Sequence, residues 1–100
     1  MAESREENEN QYRIYSMLLI DLQRMNVTYA TQSFLMNLIT VAEVEIAREG
    51  ITLDLSDADD RQTIEMYAAY LYRKRVSGDG MPRMLRYRLN NRLLSERMGP

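Results

Sequence analysis

The chain has 100 residues, 45% hydrophobic and 28% charged, with no Cys, no His and no Trp, a size that bounds it to one domain with one modest core. Without Cys there is no disulfide framework, thiolate zinc site or thiol nucleophile, and without His the commonest general base and metal ligand is missing, so enzymes built on those groups are excluded. The net charge of −2 conceals a partition: residues 1–60 carry four basic and twelve acidic groups, a balance of −8, whereas residues 61–100 carry nine and three, a balance of +6.

Apolar residues recur at three- and four-residue steps in four segments and alternate convincingly in none, which predicts an all-α bundle with helices at about 11–25, 30–49, 57–76 and 82–97. Residues 1–10, rich in Glu and Asn, are expected to be a frayed or flexible acidic start. Helix one shows Tyr12, Tyr15, Leu18, Leu19, Leu22 and Met25 on one face, with Asn26 as its stop. Thr28 or Thr31 can cap helix two by accepting from an orphan backbone N–H. That helix carries Leu35, Leu38, Ile39, Ala42 and Ile46 and closes at Gly50, suited to the left-handed position after a helix. Residues 51–55 alternate too briefly for a sheet and read as a connection that tucks Ile51, Leu53 or Leu55 into the core. Ser56 with Asp59 three residues on resembles a capping box, and Asp57, Asp59 and Asp60 crowd a first turn where the helix dipole favours acids. Helix three then presents Ile64, Tyr67, Ala68, Leu71 and Tyr72 and ends in Arg73-Lys74-Arg75 before a Ser77-Gly78-Asp79-Gly80 turn. Pro82 suits the first position of helix four, whose inner face is Met84 or Leu85, Leu89 and Leu93.

The acidic run from Asp54 to Asp60 fits no calcium-loop register: started at Asp54 its fifth position is Ala58, and started at Asp57 the fifth and sixth are Arg61 and Gln62. Asp57 with Asp60, or Glu43 with Glu49, could in principle form a carboxylate pair, but general acid–base work needs one carboxyl in an apolar pocket, and these sit among polar neighbours. Gly78-Asp79-Gly80 lacks the spacing of a phosphate-binding loop. We therefore expect no enzyme activity, no metal and no cofactor. No apolar run approaches the roughly 18 residues of a membrane span, and the acidic start is unlike a targeting peptide. A soluble protein of a reducing compartment, with no membrane contact, is the expectation.

Arginine is the informative residue, supplying twelve of the thirteen basic side chains. Where solubility alone is needed Lys suffices, so the bias fits bidentate pairing with carboxylates or phosphates, or stacking on aromatic rings. The candidate partner-binding set is Arg73, Lys74, Arg75, Arg83, Arg86, Tyr87, Arg88, Asn90, Asn91 and Arg92. Seven Tyr and eight Met leave amphipathic surface over, at Met66, Tyr70 and Tyr87, of the kind enriched in protein interfaces. Helix three, a short Gly-containing turn and basic helix four also have the outline of a helix-turn-helix DNA reader, although the whole domain is acidic, with a pI near 5.1.

The segments Arg48-Glu-Gly-Ile-Thr-Leu53, Tyr67-Ala-Ala-Tyr-Leu-Tyr-Arg-Lys-Arg75 and Gly80-Met-Pro-Arg-Met-Leu-Arg-Tyr-Arg-Leu-Asn-Asn-Arg92 resemble the head-tail connector (neck adaptor) family of tailed bacteriophages, over residues 31–98. The resemblance implies a structural virion protein, made in the cytoplasm of the bacterial host. Its implied assembly is a ring of about twelve copies with heterologous contacts. The ring would sit beneath the portal protein and carry the next neck, stopper or tail-completion protein on its other side. Double-stranded DNA would pass through the lumen without its sequence being read. On this reading the acidic face of helices one and two meets the basic face of helices three and four in the next copy, and helix four, with Arg83, Arg86, Tyr87 and Arg92, faces the portal or DNA.

Overall fold

The computed structural model describes residues 2–24 and 27–99. Four helices follow in order: α1 (Ala2–Asp21), α2 (Tyr29–Arg48), α3 (Ala58–Ser77) and α4 (Arg83–Met98). Among the described residues there is no strand, so the all-α class holds. The body measures 43 × 39 × 19 Å, a slab about two helix diameters thick.

α1 begins at Ala2 rather than near residue 11, and the physical reason is visible in its first turns. Glu6, Glu7 and Glu9 lie toward the positive end of the helix dipole, which favours acids there. The helix also stops earlier than the periodicity suggests. Gln23 adopts φ 57°, Gln23 N–H donates to Ile20 O at 3.0 Å and Arg24 N–H to Leu19 O at 2.9 Å, the pair of bonds that closes a Schellman motif. Met25 and Asn26, read as the end of the stripe and the stop, lie outside the described residues. The buried face of α1 is Ile14, Tyr15 and Leu18, while Tyr12 is 63% exposed.

α2 buries Leu35, Leu38, Ile39, Ala42 and Ile46, the five residues its periodicity predicts. Thr28 is its N-cap, accepting from Thr31 N–H at 3.1 Å. Gly50 follows its end at φ 97°, and Ile51 next to it is buried. At the start of α3 the cap is Asp57, not Ser56: the Asp57 carboxylate accepts from Asp59 N–H at 2.9 Å. Ser56 Oγ instead donates to Asp54 Oδ1 at 2.6 Å, tightening the turn before it. α3 is the central element, packed against α1, α2 and α4, which is why its buried surface wraps beyond one stripe to include Asp60, Thr63, Glu65 and Ala69. Leu71 and Tyr72 are half-buried on the same core. Gly78, at φ 74°, ends α3 and donates to Lys74 O. Pro82 precedes α4 in extended conformation as its N-cap instead of opening it. Of the two alternatives for the first inner residue of α4, Leu85 is buried and Met84 is 73% exposed.

Candidate interaction surface

α4 is held to the body by a short apolar edge with arginines on both flanks. Leu85 and Leu89 are fully buried, and Leu93 packs partly against the core. Nearly two helical turns carry Arg86, Arg88 and Arg92 to either side of this edge, within reach of α3 and of the segment that connects α2 to α3.

Arg92 is the busiest of them. Its Nε donates to Asp60 Oδ1 at 2.9 Å and its Nη2 to Asp60 Oδ2 at 3.2 Å, a bidentate fork. Nη2 also donates to Thr52 O at 2.7 Å, and Nη1 to Glu96 Oε2 at 3.3 Å. Asp60, only 1% exposed, accepts in addition from Asp54 N–H at 2.9 Å, and Glu96 accepts from Thr52 N–H at 2.7 Å. These bonds to Thr52 hold the Glu96 carboxyl below its usual range, and the hydrogen bonds that Arg92 donates to Asp60 keep its guanidinium more firmly protonated. One node thus joins the start of α3, the 52–54 segment and α4.

Arg86 grips Glu49 with both terminal nitrogens, Nη1 at 3.2 Å from Oε2 and Nη2 on Oε1, and its Nε donates to Asn90 Oδ1 at 3.2 Å. Arg88 donates through Nε to Thr63 Oγ1 at 2.7 Å and through Nη2 to Asp59 O at 3.1 Å. At the far end of α3, Arg73 pairs with Asp21 of α1 at 2.9 Å. Lys74 lies 5.8 Å from the Tyr70 ring centroid, and Arg75 lies 5.1 Å from that of Phe34, within cation–π range.

The predicted partner-binding residues therefore divide. Arg73, Arg86, Arg88 and Arg92 are brought together with acceptors of their own chain, and Lys74 and Arg75 lie over its rings. Asn90 is exposed but serves Arg86, and Asn91, also exposed, lines a shallow depression with Asp59, Asp60, Thr63, Arg88 and Arg92, whereas Arg83 and Tyr87 face solvent without such a role. Sequence reasoning missed two residues beside Tyr87. Leu94 and Met98, at 58% and 75% exposure, continue the outward line of Met84 and Tyr87 at 73% and 66%. Their signal was available in the spacing: positions 84, 87, 91, 94 and 98 alternate steps of three and four on the side of α4 opposite Leu85 and Leu89.

On another part of the molecule two open depressions of ≈ 470 and ≈ 490 Å³ meet at Leu53 and Leu55. Their walls include Glu6 and Glu7 of α1, Glu43 of α2 and Asp54, so the trough is acidic with an apolar floor. Burial pushes the Glu43 carboxyl up, opposed by the Gln11 amide and reinforced by the charge of Glu7, and Glu43 Oε1 is buried with no hydrogen-bond partner. Hydrogen bonds from Ser56 hold Asp54 ionised below the usual carboxylate range. Among the described residues no three His, Cys, Asp or Glu gather as a metal site, and no helix is long and apolar enough to cross a membrane. No protein-family model, curated protein or solved structure matches the chain.

Proposed function

We propose that this chain is a structural connector of a tailed-bacteriophage particle, without enzymatic activity. Copies would form a ring beneath the portal protein, carry the next neck or tail-completion protein, and leave a lumen for double-stranded DNA. The observation that carries the reading is the pair of unlike surfaces on one subunit. A basic-flanked helix with an unpartnered apolar line and a separate acidic trough are what a head-to-tail ring requires of each member. The resemblance of residues 31–98 to neck adaptors adds the particular setting. Its Met81–Arg92 portion is the stretch that starts α4, supplies Leu85 and Leu89 to the core and anchors the helix through Arg86, Arg88 and Arg92. In this reading those arginines fix the pose of α4, and its outward residues meet other proteins.

The same distribution weighs against a helix-turn-helix regulator. Reading base edges through α4 calls for hydrogen-bonding side chains at the centre of its outer face, where Met84, Tyr87, Leu94 and Met98 stand, with the exposed cations Arg83 and Arg97 only at its edge.

Native mass spectrometry of the purified chain, alone and with purified portal rings, tests the proposal. A discrete species of about a dozen copies, free or seated on the portal, is expected. A dimer that ignores the portal and binds naked duplex DNA, with affinity collapsing between about 50 and 200 mM salt, overturns it.

A further inference from the structure

The outward line of α4 has the spacing of a helix-pairing seam. Met84, Tyr87, Asn91, Leu94 and Met98 fall at successive three- and four-residue steps, the a/d pattern by which one helix packs on another. Beside the seam stand Arg83, Asn90 and Arg97 on one side and Arg88 and Ser95 on the other. The one acid on α4, Glu96, is turned away to Thr52 and Arg92. Two α4 helices laid seam to seam would set these arginines against their own kind, an arrangement that like-charge repulsion disfavours. The occupant of this face must therefore bring acidic flanks and an apolar floor.

The chain itself carries such a surface. The trough has Leu53 and Leu55 at its base and Glu6, Glu7, Glu43 and Asp54 around it. Among the described residues Arg83 and Arg97, both exposed, form no ion pair, and Glu6, Glu7 and Asp54 stand exposed around the trough, so exposed cations and exposed carboxylates stand on the two surfaces. We infer that the outer face of α4 seats in the acidic trough of a second copy of this chain. The contact is heterologous, one subunit giving α4 and the next giving α1, α2 and the 51–56 segment. It deepens the connector reading and rests on it for closure into a ring, but the contact is testable by itself.

The absence of cysteine allows a clean experiment on the full chain. A Leu94→Cys chain and an isotopically labelled Leu55→Cys chain are mixed and treated with a short bismaleimide, and the products are weighed against the 11.8 kDa of one chain. The mixed Leu94–Leu55 dimer is expected to dominate both same-chain dimers and a control pairing with Ser77→Cys at the C-terminal end of α3. Adding Arg97→Glu to the Leu94→Cys chain should cut the yield about tenfold, and Glu6→Arg with Glu7→Arg on its partner should restore it. Leu94, Ser77, Arg97, Glu6 and Glu7 are exposed and Leu55 is half-buried, and unchanged circular dichroism excludes misfolding. Predominance of the Leu94–Leu94 dimer overturns the inference in favour of seam-to-seam pairing, and a mixed yield no higher than the control overturns it outright. Rings that assemble without the Leu94–Leu55 cross-link would refute this contact and leave the connector standing. A strong cross-link in chains that neither close into rings nor bind the portal would do the reverse.

Discussion

A single carboxyl at the α1–α3 contact departs furthest from ordinary behaviour. Glu65 is 3% exposed, its Oε1 accepts from Gln62 at 3.1 Å, and its Oε2 is buried with no donor facing it. Burial first, then the hydrogen bond and charge of Asp21, push its pKa to about 8, against the opposing pull of Arg73. Protonated Glu65 donates to the Asp21 carboxylate, and that bond, with help from Arg73, holds Asp21 below its usual range. Because Glu65 is raised in the fold, its contribution is fully present below its unfolded value and is lost as pH rises through the folded one. Stability should fall from near pH 4.5 to near pH 8, at up to about 1.4 kcal/mol per pH unit. Asp21 acts in the other direction and only in stronger acid. Glu65→Gln, which keeps a donor toward Asp21, should flatten urea-unfolding free energies across that window and exceed the wild type at its upper end. A variant with an unchanged pH slope would show that Glu65 titrates normally. Hydrophobic periodicity could not reveal this residue. It sits between Ile64 and Tyr67 on a helix whose neighbours enclose it on more than one side, a fact of packing rather than of pattern.

At the scale of the element, helix ends show what local sequence decides and what it leaves to context. Gly78 ends α3 at φ 74°, and a side chain placed there would meet nothing within 4 Å, so the backbone alone sets the cost of substitution. Gly78→Ala should destabilise by about 1 kcal/mol, the penalty of a left-handed L-residue, and Gly78→Asn by less, since Asn tolerates that region. Chemical denaturation with an unchanged m-value checks the order, and equal losses for the two would point away from φ. The α2 stripe from Leu35 to Ile46 was fully legible because one face of that helix meets the core. Thr28 and Gly50 were legible because caps are local chemistry. The long reach of α1 was not, since its Glu- and Asn-rich start carries no apolar period. Choosing Asp57 over Ser56 depended on Asp54 engaging Ser56, a detail of the turn. For the interaction surface, composition pointed to the arginines of α4 as a group. It could not tell that Arg86 would find Glu49 or that Arg92 would find Asp60, partners that folding brings from far along the chain.

Across the whole molecule, α1, α2 and α3 share the core of Ile14, Leu18, Leu35, Ile39, Ile46 and Ile64, whereas α4 buries only Leu85 and Leu89 completely. Those two side chains supply on the order of 1.5–3 kcal/mol each, Leu93 adds a partly buried contact, and the rest of its attachment is largely polar. The decisive bond is Arg92 to Asp60, with side chains 27% and 1% exposed. Removing Arg92 leaves the Asp60 carboxylate buried without its counter-charge and with Asp54 N–H as its remaining donor, a loss of about 3–5 kcal/mol for a buried pair broken on one side. Asp60→Asn should cost less, because the stranded Arg92 still reaches Glu96 and Thr52 O. Since the free energy is lost where α4 meets the body, Arg92→Met should open α4 before the other helices. In hydrogen exchange, amides of residues 83–98 should lose protection while those of α2 and the middle of α3 keep most of theirs. Equal loss throughout would make the four helices one cooperative unit. The functional consequence is then specific: if α4 is clipped on and carries the outward seam, Arg92→Met should abolish contact between subunits at temperatures where α1–α3 remain folded. A variant still assembling with α4 amides unprotected would place the subunit contact on other elements.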